Sequence, residues 1–138
     1  KVLTVPSHEA FLNSHNIPLT SVYDISPSAL RFWKPESQIY WCDVFSSAPL
    51  LELLSETSPQ VMDLSNITEY SENDRKLLMQ LATNLSSSTS LKTIMFTRIM
   101  ETEHGSGLFA DILKTLNWDI TKYKEYYYSR ENVQVATR

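Results

Sequence analysis

The sequence contains almost no glycine: two residues in 138, Gly105 and Gly107, both inside His104-Gly105-Ser106-Gly107. Folds that grip phosphates or dinucleotides between a strand and a helix do so with a glycine-rich turn. No G-x-G-x-x-G, G-x-x-x-x-G-K-[ST] or G-x-S-x-G occurs, so the commonest nucleotide-binding and nucleophile turns are excluded. Cysteine is scarcer still. Cys42 stands alone, which rules out an intramolecular disulfide framework and a cysteine zinc cluster, and a cytoplasmic or nuclear location is expected. Positive charge is not in excess either. A net charge of −4 supplies no overall attraction for nucleic acid. No apolar run approaches the ~20 residues that span a bilayer, so no membrane association is expected. No basic segment followed by an apolar one opens the chain, so no signal peptide is expected there.

What is present is the texture of one folded unit. With 42% hydrophobic and 20% charged residues, a chain of this length buries roughly two-thirds of its unfolded surface. The first 36 residues differ from the rest. Pro6, Pro18, Pro27 and Pro35 punctuate them, leaving room only for short elements. Residues 1–36 are therefore read as an irregular N-terminal arm or covering segment. Ser7 is expected to cap a helix over 8–15, with Ala10, Phe11 and His15 on its apolar side.

From residue 37 the rhythm becomes regular, and 37–138 reads as an α/β domain. Ile39-Tyr40-Trp41-Cys42-Asp43-Val44-Phe45 is an apolar run of strand length. Leu50, Leu51, Leu53 and Leu54 mark a helix over 48–56, and 60–65 a second strand. Ser71, with Asp74 three residues on, has the cadence of a capping box. The helix it opens carries Leu77, Leu78, Leu81 and Leu85 as an apolar stripe. Residues 91–100 form the clearest strand, with Ile94, Met95 and Phe96 expected to be buried on both faces. A helix over 108–116 and a last strand over 123–129 complete the order β-α-β-α-β-α-β. Right-handed crossovers convert that order into a mostly parallel sheet with helices packed on it, a Rossmann-like alternation.

The phrase Val61-Met62-Asp63-Leu64-Ser65-Asn66, followed by a helix and Leu91-Lys92-Thr93-Ile94-Met95-Phe96, resembles a long-period leucine-rich repeat. That resemblance implies stacked strand-helix units with a protein-binding strand face. It agrees with the aromatic residues near the ends of the unit. Trp33, Tyr123, Tyr126, Tyr128 and the neighbouring Arg130 are the candidate binding residues, because tyrosine, tryptophan and arginine concentrate at interfaces.

The first expectation is thus a non-enzymatic interaction or scaffold domain with another protein subunit as partner and no cofactor. Two alternatives stand beside it. Asp43 and Asp63 sit in apolar strands, where a carboxylate needs a partner. With Glu101 and His104 they form a candidate metal set for a hydrolase or nuclease-like fold. Lys122, Lys124 and Arg130 interleave with tyrosines, a pattern that suits a nucleic-acid-binding adaptor.

Overall fold

In the computed structural model, residues 1–24, 39–65, 67–71, 74–97, 107–123 and 133–138 are described. They form a seven-stranded sheet and four helices: β1 (Val2–Thr4), α1 (Pro6–Ser14), β2 (Leu19–Asp24), β3 (Ile39–Trp41), α2 (Ser47–Thr57), β4 (Val61–Ser65), α3 (Arg75–Ser86), β5 (Thr93–Thr97), α4 (Leu108–Thr115), β6 (Asp119–Tyr123) and β7 (Val133–Thr137). The strands lie in the order β3-β2-β1-β4-β5-β7-β6. The first five are mutually parallel. β7 inserts antiparallel between β5 and β6. The expected α/β class, with a mostly parallel sheet, is what the chain forms.

The helices follow from local sequence. On α3 the buried residues Leu78, Leu81, Ala82 and Leu85 recur at helical spacing. Asp74 is its N-cap, accepting a hydrogen bond from the Leu77 backbone N–H at 3.1 Å. The capping role thus falls on Asp74 itself, because Ser71 is taken up in the 3₁₀ turn Ile67–Ser71 just before it. α2 buries Leu50, Leu53, Leu54 and Thr57 and ends at Ser58 in the left-handed region. Ser47 ties α2 to α3 by accepting from Gln80 Nε2 at 2.5 Å and Asn84 Nδ2 at 2.9 Å. Gly107, with φ 95°, caps α4. That backbone angle favours glycine, and it accounts for one of the chain's two.

The helices after β3 pack on one face of the sheet. Leucines of α2 and α3 join Leu3, Met62, Leu64, Ile94 and Phe96 in one apolar cluster. Phe96 meets Phe109 of α4 edge to face at 5.1 Å. β5 alternates as a result. Ile94 and Phe96 are buried, while Met95 between them is 38% exposed, so the strand is covered on one face and not on both. The Arg138 guanidinium lies 4.4 Å over the Trp118 ring and donates to the Leu91, Ser86 and Ser88 carbonyls.

The structure differs from the sequence reading at both ends of the chain. Residues expected to cover the core instead supply β1, α1 and β2, with β1 near the middle of the sheet. A strand buried between two neighbours needs only a short apolar run, and Val2-Leu3-Thr4 is enough. α1 begins at Pro6, not after Ser7, which turns Val5, Pro6 and Glu9 inward and leaves Ala10 and Phe11 exposed. The last strands are β6 and β7; of the expected strand over 123–129, Tyr123 ends β6 and the remainder lies outside the described residues. A repeat array is also excluded, since β4 pairs with β1 as well as β5.

Leu81 is fully buried in the central helix. Leu81→Ala is expected to cost about 2–5 kcal/mol of stability, read from urea unfolding.

Candidate functional site

A parallel sheet of this kind opens a crevice where the chain reverses its direction of winding. From β1 the chain runs outward to β2 and β3, and it then returns to β4 and β5 on the other side. The reversal falls between β1 and β4. Backbone pairing of these strands covers Val2 with Val61 and Leu3 with Met62, and goes no further. At the next step side chains take over.

Thr4 Oγ1 donates to Asp63 Oδ2 at 2.7 Å across the gap. His8, in the first turn of α1, approaches the same oxygen through Nδ1 at 2.5 Å. The Ser65 backbone N–H donates to Asp63 Oδ1 at 2.8 Å. Ser65 holds a φ of 52°, the left-handed bend that turns its N–H back on the preceding aspartate. The Tyr23 hydroxyl of β2 donates to the Asp63 main-chain carbonyl at 2.7 Å. One carboxylate thus gathers β1, α1 and the end of β4, and its own carbonyl engages β2.

The charges follow from this geometry. Burial pushes the Asp63 carboxyl upward, but the His8 hydrogen bond and charge, with Thr4 and the Ser65 N–H, hold it below the usual carboxylate range. An ionised Asp63 can only accept, so the proton between the two groups belongs to His8 Nδ1. The hydrogen bond to Asp63 raises the His8 pKa, against the opposing effect of burial. The His8 side chain is 43% exposed and that of Asp63 only 12%. Nδ1 is engaged with Asp63, so Nε2 is the ring nitrogen left for another partner.

The sequence reading identified Asp63 because a carboxylate in an apolar strand demands a partner. Thr4 and His8 do not stand out in the sequence. The signal available was a short apolar run, Val2-Leu3-Thr4-Val5, followed by Pro6 and a histidine in the first helical turn. Asp43 does not join Asp63. Its carboxylate accepts from the Phe45 backbone N–H at 3.0 Å and the Ser46 hydroxyl at 3.4 Å, forming the turn that enters α2. Glu101 and His104 lie outside the described residues, and among the described residues no group of three His, Cys, Asp or Glu is placed to hold a metal ion. Tyr123 is exposed at the end of β6; Trp33, Tyr126, Tyr128 and Arg130 lie outside the described residues. Cys42 is buried, and burial with the nearby Asp43 charge pushes its thiol up to about 11. Among the described residues no helix is long and apolar enough to cross a membrane.

No family model and no curated protein matches the chain. Solved structures do. The methyltransferase domain of bacterial CtHen1 superposes with a TM-score of 0.62 at 13% identity, covering 100% of this chain and 90% of that one. The Dnmt2 methyltransferase of S. pombe gives 0.59 at 16% identity, covering 99% of this chain and 48% of that one. The N-methyltransferase NodS from Bradyrhizobium japonicum WM9 gives 0.54 at 14%, with coverages of 98% and 82%. At such identities the likeness is one of fold. It nevertheless corrects the expectation of a non-enzymatic scaffold and protein-binding subunit, because the architecture is one that methyltransferases share.

The pair also sets a pH dependence for folding. A raised histidine pKa contributes stability that is complete below 6.5 and lost as pH rises through the folded value. A lowered aspartate pKa contributes stability that is complete above 3.8 and lost as pH falls through the folded value. The contribution is greatest between those two pH values, and His8→Gln is expected to flatten the alkaline fall in urea midpoints. Thr4→Val, which removes a buried donor to a carboxylate, is expected to cost about 1.5–3 kcal/mol in the same assay.

Proposed function

We propose that this chain is a methyltransferase whose reaction centre lies at the carboxyl edge of β1, β2 and β4. The observation that carries the reading is the strand order β3-β2-β1-β4-β5-β7-β6 with its single antiparallel insertion, β7, in a chain that superposes on methyltransferases along its whole length. The methyl donor that such a fold implies is S-adenosylmethionine, a sulfonium nucleoside.

The residues at this edge fit that chemistry. Asp24 ends β2, 20 residues after Thr4 at the end of β1. An acidic residue at that place and spacing is the usual partner for ribose hydroxyls in sheets of this kind. Trp41, at the end of β3, is 48% exposed and offers a ring on which a base can stack. The turn after β1 differs from a phosphate cradle, since Val5 is followed directly by Pro6 at the helix start. Pro6 has no N–H to offer. A sulfonium nucleoside carries no pyrophosphate, so the scarcity of glycine excludes dinucleotides without excluding this donor.

When bound, the sulfonium group supplies an electrophilic methyl carbon. The chain's own residues orient the nucleoside and present His8 and Asp63 beside it. A reducing compartment, cytoplasm or nucleus, suits the single free cysteine.

Titration calorimetry with S-adenosylhomocysteine tests the reading. Binding is expected, and Asp24→Asn should weaken it about tenfold or more, the loss of a charge-assisted hydrogen bond. The absence of heat and of any thermal shift at millimolar ligand would overturn it.

A further inference from the structure

The His8–Asp63 pair has more to it than a clamp between a helix and a strand needs. A clamp would be satisfied by one hydrogen bond from the ring to the carboxylate. Here the carboxylate also receives the Thr4 hydroxyl and the Ser65 N–H, so it is held in place independently of the histidine. Its oxygen then fixes the ring through Nδ1, while 43% of the histidine side chain is exposed. A buried, multiply bonded aspartate that sets the tautomer of an accessible histidine is the arrangement of a general base. The pair stands where the chain reverses between β1 and β4, the place at which ligands bind in such sheets.

We propose that His8 Nε2 is the proton acceptor of the reaction, with Asp63 and Thr4 as positioning residues, and that the methyl acceptor is therefore a hydroxyl or an N–H group. This rests on the methyl-transfer reading above. The acceptor's lone pair forms the new bond to the methyl carbon as the carbon–sulfur bond breaks, and the sulfur keeps that electron pair. The proton left on the acceptor oxygen or nitrogen passes to Nε2. The doubly protonated ring is stabilised by Asp63 and releases its proton to solvent.

The alternative of a carbon acceptor activated by a thiolate has no residue to support it. Cys42 is the only cysteine, it is buried, and its thiol is pushed up to about 11, so it is almost entirely protonated near neutral pH.

The titratable groups on the elements around His8 are Asp63 on β4, Tyr23 and Asp24 on β2, and Glu9 on α1, with His15 at that helix's C-cap. Asp63 is the one that perturbs the ring. A base of this kind is blocked while doubly protonated, so its reactivity rises with pH through a midpoint above 6.5.

Diethyl pyrocarbonate, which acylates an unprotonated imidazole nitrogen, reads this directly without knowledge of the acceptor. The full chain is modified across pH 5.5 to 8.5, with the rates at His8 and the exposed His15 resolved by peptide mass spectrometry. The His8 midpoint is expected to lie above 6.5, and Asp63→Asn should bring it down. Saturating S-adenosylhomocysteine should slow modification of His8 several-fold and leave His15 unchanged. The wild-type comparison and the protection need no variant, so a misfolded Asp63→Asn does not blunt the test. If S-adenosylhomocysteine binds in calorimetry and His8 is unprotected, or its midpoint is not raised above 6.5, the base assignment falls while the methyl-transfer reading stands. If S-adenosylhomocysteine does not bind at all, the reading itself falls and takes the acceptor assignment with it.

Discussion

A carboxylate buried between two parallel strands is expensive unless donors surround it. Asp63 meets that demand with the Thr4 hydroxyl, the His8 ring and the Ser65 N–H, while its main-chain carbonyl is taken by Tyr23. Much of the carboxyl edge depends on this. The backbone ladder between β1 and β4 ends at Leu3 and Met62, and beyond it the two strands are joined by side chains alone. The same oxygen anchors the start of α1, which otherwise has no side-chain cap. Removing any one donor leaves the charge short of partners, which is why the cost is expected to exceed that of an ordinary hydrogen bond.

The remaining stability comes from the opposite face. Leucines of α2 and α3 and the apolar residues of α4 close one continuous cluster against β1, β4 and β5. Ser47 fixes the spacing of α2 and α3. Arg138 seals the end of β7 against the turn after α3. With the apolar mass on that face and at that end, the polar edge is free to carry groups chosen for chemistry rather than packing. Stability and the proposed activity are thus separated in space, as is common in sheets that bind ligands at their carboxyl ends.

The scarcity of glycine has a different meaning with the fold in view than it has in the bare sequence. Without the fold, it argues against enzyme chemistry, because the best-known turns in βα proteins are phosphate cradles. With the fold, it argues against phosphate. The turn after β1 opens its helix on Pro6, which has no N–H with which to cradle a phosphate.

The sequence by itself determined α2, α3, α4, β4 and β5, the α/β class, the exclusion of dinucleotide turns and the need of Asp63 for a partner. Each depends on interactions within a few residues: apolar spacing, a cap, or the cost of burying one charge. Tertiary structure alone decided that Val2-Leu3-Thr4 lies near the middle of the sheet, that β7 inserts antiparallel between β5 and β6, and that Thr4 and His8 are the partners of Asp63. Those partners lie 59 and 55 residues away along the chain. Nothing in a local pattern specifies which distant strand a three-residue run will join, since that is settled only when loop entropy is offset by pairing and packing across the whole sheet.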